Sequence, residues 1–77
     1  MFNISTQQDF KLRAPKNDAL EIAKIFKRFG VFENVKTVPL RNSSDMYVIS
    51  NYDLRNRKEV ITILNELDTR FLIRRYI

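Results

Sequence analysis

The sequence predicts an α+β domain in which two helices cover one face of a four-stranded antiparallel sheet. Two stretches carry apolar residues at the spacing of an amphipathic helix, within residues 19–29 and 60–67. The segments around them alternate apolar and polar residues or are rich in β-branched residues, which is typical of strands. A chain of 77 residues has room for one small core, so residues 1–77 are expected to form a single domain.

Both helices are predicted together with their ends. The first is expected to begin at Asn17 or Asp18, because these side chains can accept an orphan backbone N–H. It is expected to end at Gly30, the residue type that favours a left-handed C-cap. The second is expected to begin near Asp53 or Asn56. The apolar faces comprise Ala19, Ile22, Ala23, Phe26 and Phe29 in the first helix and Val60, Ile63, Leu64 and Leu67 in the second.

The remaining segments are predicted strands. Pro39 lacks a ladder N–H, so its strand is expected at an edge of the sheet, whereas the apolar segment MYVIS is expected in the centre. In the last strand, FLIRRYI, Arg74 and Arg75 must point to opposite faces. An inward Arg75 on an edge strand would discourage pairing with another chain. A bulge between the two arginines is the competing explanation. The strands are expected at residues 9–13, 34–40, 46–50 and 71–77.

The resulting element order is β-α-β-β-α-β, the split βαβ or ferredoxin-like arrangement. Right-handed crossovers place both helices on the same face of such a sheet. The first and third strands then lie in the centre, with the proline-containing strand and the double-arginine strand at the edges. The other face of the sheet is expected to be open.

The open face is predicted to be basic and aromatic. If Phe10 and Leu12 point toward the helices, the alternating residues of the first strand point outward. In the third strand the tyrosine is assigned outward, because an aromatic ring with a polar tip tolerates partial exposure. Bases can stack on such rings while cations follow the phosphates of a single strand. A solvated face without a binding role is the alternative interpretation. The predicted binding residues are Lys11, Arg13, Tyr47, Arg74 and Tyr76.

The RNA-recognition module uses the same topology and the same sheet face. Its third strand carries a basic residue, glycine and paired aromatic residues. The corresponding segment here, DMYVIS, has one aromatic residue and no glycine. The sequence is therefore not assigned to that family.

A second basic cluster lies at the start of the second helix. Arg55, Arg57 and Lys58 oppose the helix dipole, so they are not placed there for helix stability. A helix N-terminus beside cations is suited to phosphate, and these residues are predicted phosphate contacts. A solvated loop is the alternative interpretation.

Catalytic and metal chemistry are disfavoured by the composition. The chain contains 0 histidines and 0 cysteines, which removes the usual general base at neutral pH and the thiolate nucleophile. One glycine in the whole chain is incompatible with a glycine-rich phosphate loop. We expect a non-enzymatic protein with no metal site and no cofactor.

The formal net charge of +5 favours polyanionic or acidic partners. The first hypothesis is a nucleic-acid-binding module that acts through the open sheet face. The alternative is a protein-interaction module, such as a phage-type inhibitor or modulator that binds an acidic surface of a host protein. A homodimer through the same face also stays open. The sequence shows neither a signal peptide nor a membrane span, so a soluble, cytoplasmic protein is expected.

Overall fold

The computed structural model describes residues 6–71 and 73–76, the last three by their backbone. Neither helix in this part of the chain is long and apolar enough to cross a membrane. The elements, in chain order, are β1 (Gln7–Pro15), α1 (Lys16–Arg28), β2 (Phe32–Pro39), β3 (Asp45–Asp53), a 3-10 turn (Leu54–Asn56), α2 (Arg57–Arg70) and β4 (Arg74–Tyr76).

The predicted ferredoxin-like fold is wrong. The sheet proper consists of three long antiparallel strands in the order β2-β3-β1, accompanied by two helices. The expected fourth strand at residues 71–77 is reduced to β4, which joins the free edge of β1 through the backbone of Arg74–Tyr76. Phe71 serves as the C-cap of α2, and the ladder with β1 begins only at Arg74, so the paired segment is short. Residues 72 and 77 of the expected strand lie outside the described residues.

The two helices are also unequal partners of the sheet. α1 packs along all three long strands, whereas α2 approaches the sheet mainly at β3. Both nevertheless contribute to one core with the inward side of the sheet. The central position of β3 and the edge position of β2 were correctly predicted from their apolar content and from Pro39.

An aromatic cluster lies at the centre of the core. Phe26 is 0% exposed and stacks on Phe32 with ring centroids 4.1 Å apart. The Phe10 ring makes an edge-to-face contact with the Phe26 ring, with centroids 5.9 Å apart. Phe29 was predicted on the same helix face but is 40% exposed. It is the C-cap of α1 with an extended backbone, so helical periodicity no longer sets its direction.

The predicted start of α1 is wrong. The helix begins directly after Pro15, and neither Asn17 nor Asp18 makes a side-chain cap. One of the orphan amides of its first turn is instead satisfied from outside the helix, because the Lys16 N–H donates to the Ser44 carbonyl at 3.1 Å. The β2–β3 turn therefore supplies what the sequence assigned to a capping side chain.

A β-bulge interrupts β2. Asn34 and Val35 together lie opposite Ser50 of β3. Asn34 takes the left-handed conformation with φ 54, which asparagine tolerates better than most residues. Ser50 is 2% exposed, and its hydroxyl donates to the Glu33 carbonyl at 2.7 Å. This hydrogen bond gives the carbonyl a partner where the bulge distorts the ladder. Gly30, where the sequence predicted a left-handed residue, does not have a positive φ.

Candidate nucleic-acid interface

The open face of the sheet is formed by the outward residues of β1 and β3. Lys11 lies opposite Ile49, and Arg13 lies opposite Tyr47. Their side chains are exposed or half-buried, whereas the inward Val48 is fully buried. Alternation along paired strands thus places Lys11, Arg13 and Tyr47 in two neighbouring rows on one surface.

β4 extends both rows by backbone register. Arg74 lies opposite Arg13, and Tyr76 lies opposite Lys11. The side-chain directions predicted for Arg74, Arg75 and Tyr76 lie outside the described residues. The backbone nevertheless brings all the residues predicted for the sheet face onto three adjacent strands.

Two contacts organise the cations on this face. The Lys11 ammonium lies 4.6 Å from the centroid of the Tyr47 ring, within cation–π distance. The Arg13 guanidinium donates from Nε to the Asp45 carboxylate at 2.9 Å, and both side chains are partly exposed, at 29% and 28%. Asp45 offsets part of the Arg13 charge and holds its guanidinium in place.

Lys36 also lies on the open face, although the sequence pattern did not predict it. The extra residue at the bulge shifts the alternation of β2 by one. Every later side chain of β2 therefore points to the opposite face from the one that unbroken alternation would give. Lys36 consequently lies opposite Ile49 and Val38 lies opposite Tyr47, both on the open face. The spacing of Phe32 and Val35 was the available signal. Both pack into the core although they are three residues apart, which requires an extra residue between them.

The other end of the same face carries a row of side-chain amides. Asn34 donates from Nδ2 to the Asn51 Oδ1 at 2.9 Å. Asn51 in turn donates from Nδ2 to the Gln7 Oε1 at 2.7 Å. Asp9 and Glu33 are the register partners of Asn51 on either side. The face is therefore divided into a cationic half and a half of amides and carboxylates, which sequence reasoning also missed.

The second basic cluster is organised around Asp53. Its carboxylate accepts from the Arg55 backbone N–H at 2.9 Å and from the Arg55 guanidinium at 2.7 Å. Asp53 thus caps the 3-10 turn, whereas Asn56 makes no side-chain cap for α2. Arg57 and Lys58 are exposed beside it, and the phosphate-contact prediction for all three cations stays a prediction. The Arg55 side chain and then its backbone amide hold the pKa of Asp53 below its ordinary value of 3.8.

Replacing Asp53 by asparagine is expected to reduce the loss of thermal stability that accompanies a fall from neutral to strongly acidic pH. Because the folded-state pKa of Asp53 lies below the unfolded value, its contribution is present above about 3.8 and is lost as pH falls through the folded pKa. Thermal unfolding midpoints measured from neutral pH down to strongly acidic pH test this. Arg55→Gln should reduce this loss less, since the backbone N–H of residue 55 still donates. An unchanged loss of stability in both variants would contradict the pairing.

The fold and this face together define a small α+β protein with an exposed basic and aromatic sheet surface. Within the described residues, His, Cys, Asp and Glu form no group of three or more placed to hold a metal ion. Comparisons with protein-family models, with curated proteins and with solved structures find no match to this chain.

Proposed function

We propose that the protein is a small non-enzymatic module that binds single-stranded nucleic acid through its open sheet face. The observation that carries the proposal is the grouping of Lys11, Arg13 and Lys36 in the two neighbouring rows of Tyr47 and Ile49, with the Lys11 ammonium over the Tyr47 ring. A cytoplasmic location, where such a ligand is present, is part of the same proposal.

Charge and aromatic surface have separate tasks in this proposal. The cations neutralise phosphates and release counterions, which makes binding dependent on salt. A base stacked on Tyr47 contributes about 1–3 kcal/mol without reading sequence. The net charge of +5 adds a long-range attraction for any polyanion. An open sheet face suits a single strand, because it presents the Tyr47 ring and the cations side by side.

Salt-dependent binding is the expected result of a titration with short labelled single-stranded RNA and DNA. If three phosphates are neutralised, log K should fall with log salt at a slope of about −2. Lys36→Gln should make the slope shallower by about 0.7. Fluorescence anisotropy at several salt concentrations measures both quantities.

Two charge-matched variants control this experiment. Lys24→Gln removes one cation from the exposed surface of α1 and should leave the slope unchanged. Lys58→Gln tests whether the second basic cluster contacts phosphate. Failure of the unaltered protein to bind either nucleic acid at low salt would overturn the proposal.

A protein partner is the second candidate. Val38 is 38% exposed and lies directly opposite Tyr47, next to the half-buried Ile49. Apolar and tyrosine side chains surrounded by cations suit an acidic protein surface. A phage-type modulator of a host protein and a homodimer both belong to this candidate. Val38→Asp should abolish binding of a partner in nuclease-treated pull-down or the dimer in size-exclusion chromatography.

A further inference from the structure

The amide row Gln7–Asn51–Asn34 is a feature that phosphate attraction does not explain. We propose that it recognises a base that carries an exocyclic amine, adenine above all, in the strand bound by the neighbouring cations. This inference rests on the proposed function and adds base selectivity to it.

The hydrogen bonds within the row fix the orientation of the amides. Asn51 uses one lone pair of Oδ1 toward Asn34 and one N–H of Nδ2 toward Gln7. An amide group has two lone pairs and two N–H bonds, so each of these atoms keeps capacity for a second partner. A carbonyl oxygen and an N–H side by side match the N6 amine and N7 of adenine, the pairing that asparagine and glutamine make with this base.

Asn34 is held in the row by the bulge. Its left-handed backbone, φ 54, and its bond to Asn51 keep its side chain on the open face. The amides therefore belong to three adjacent strands and form a row across the sheet. Asn51 lies two residues beyond Ile49 on β3, which separates the amide row from the nearest cationic row by about 7 Å. Adjacent nucleotides of one strand can reach both rows.

The carboxylates decide which part of the ligand occupies this end of the face. Asp9 and Glu33 lie on either side of Asn51, so a phosphate there would meet two like charges. An exocyclic amine would instead find acceptors, as cytosine N4 does with carboxylates. Uracil and thymine present an O4 acceptor and are disfavoured. Asp9 and Glu33 thus disfavour a phosphate at Asn51 and favour an amine-bearing base there.

Equal-length oligo(A), oligo(C) and oligo(U) provide the test by fluorescence anisotropy at fixed salt. Oligo(A) is expected to bind about tenfold more tightly than oligo(U), with oligo(C) in between. An oligonucleotide of the same length in which purine replaces adenine lacks the N6 amine but still stacks as a purine. It therefore separates amine recognition from the stronger stacking of purines. Its affinity should lie well below that of oligo(A).

Two variants remove the amides without disturbing the backbone. Asn51→Thr retains a residue suited to a strand, and Asn34→Gly retains the left-handed conformation. Both should bring the affinities for oligo(A) and oligo(U) close together while leaving oligo(U) binding unchanged. Asn42→Gly is the matched control, because Asn42 is an exposed left-handed residue, φ 57, in the β2–β3 turn. It should change neither affinity.

The outcomes separate this inference from the function on which it rests. If no oligonucleotide binds, the proposed function fails as well. If all bind equally, or if both variants keep the preference for oligo(A), base recognition by the amide row is overturned while nucleic-acid binding stands. Thermal unfolding of each variant checks folding, and Asn34→Gly carries the test if Asn51→Thr is unfolded.

Discussion

Replacing Phe26 by alanine is expected to leave much of the protein unfolded at room temperature. The ring is fully buried, stacks on Phe32 at 4.1 Å and meets Phe10 at 5.9 Å. Removing a buried phenylalanine ring costs about 3–5 kcal/mol through lost transfer free energy and the cavity left behind. A single core of this size supplies about 3–5 kcal/mol of net stability. Because the cost of the substitution is about as large as the whole free energy of unfolding, the folded population should fall steeply.

Phe29→Ala is the matched control for this prediction. Phe29 lies three residues further along the chain, is 40% exposed and reaches the Phe32 ring at a centroid distance of 6.5 Å. Its loss should cost about 1 kcal/mol or less, because little area leaves the core. Urea denaturation of both variants measures the difference in the free energy of unfolding. Similar losses in the two variants would contradict the assignment of Phe26 to the core.

This pair of residues also shows how far periodicity predicts the core. Apolar spacing correctly placed Ala19, Ile22 and Phe26 on the buried side of α1. It assigned Phe29 to the same side because spacing alone does not reveal where a helix ends. The end at Arg28 depends on the path of the chain into β2, which is a tertiary constraint.

Strand alternation predicted the directions of outward residues but not the complete sheet. Lys11 and Tyr47 were placed correctly because β1 and β3 pair without irregularity. Lys36 was missed because one extra residue at the bulge reverses the alternation of β2. The fourth strand was overestimated because β-prone composition at residues 71–77 shows neither that Phe71 caps α2 nor that pairing with β1 begins only at Arg74.

Long-range hydrogen bonds were beyond the reach of local patterns. The pairs Asn34–Asn51 and Asn51–Gln7 join residues far apart in sequence and depend on the register of three strands. The Arg13–Asp45 ion pair likewise requires the pairing of β1 with β3. Residue type suggests that such groups can interact, whereas only the fold specifies which of them meet.

Tyr47→Ala is expected to reduce the affinity for single-stranded nucleic acid about tenfold or more. A stacked base contributes about 1–3 kcal/mol, and alanine offers no surface for stacking. The side chain is half-buried on the open face, so its removal leaves the core intact. Anisotropy titration at fixed salt measures the loss. Tyr47→Phe should retain most of the affinity, because it keeps the ring and removes the hydroxyl.

Lys11 decides whether the Tyr47 ring can accept a base. Its ammonium lies 4.6 Å from the ring centroid and must leave that position when a base stacks. An exposed cation–π contact is worth about 0.5–1 kcal/mol, which is less than the gain from stacking, and the displaced ammonium can then meet a phosphate. Lys11→Gln should therefore make the salt slope shallower while stacking persists. Tyr47→Ala should lower affinity with an unchanged slope, and variants that fail to separate these two effects would refute binding at this pair.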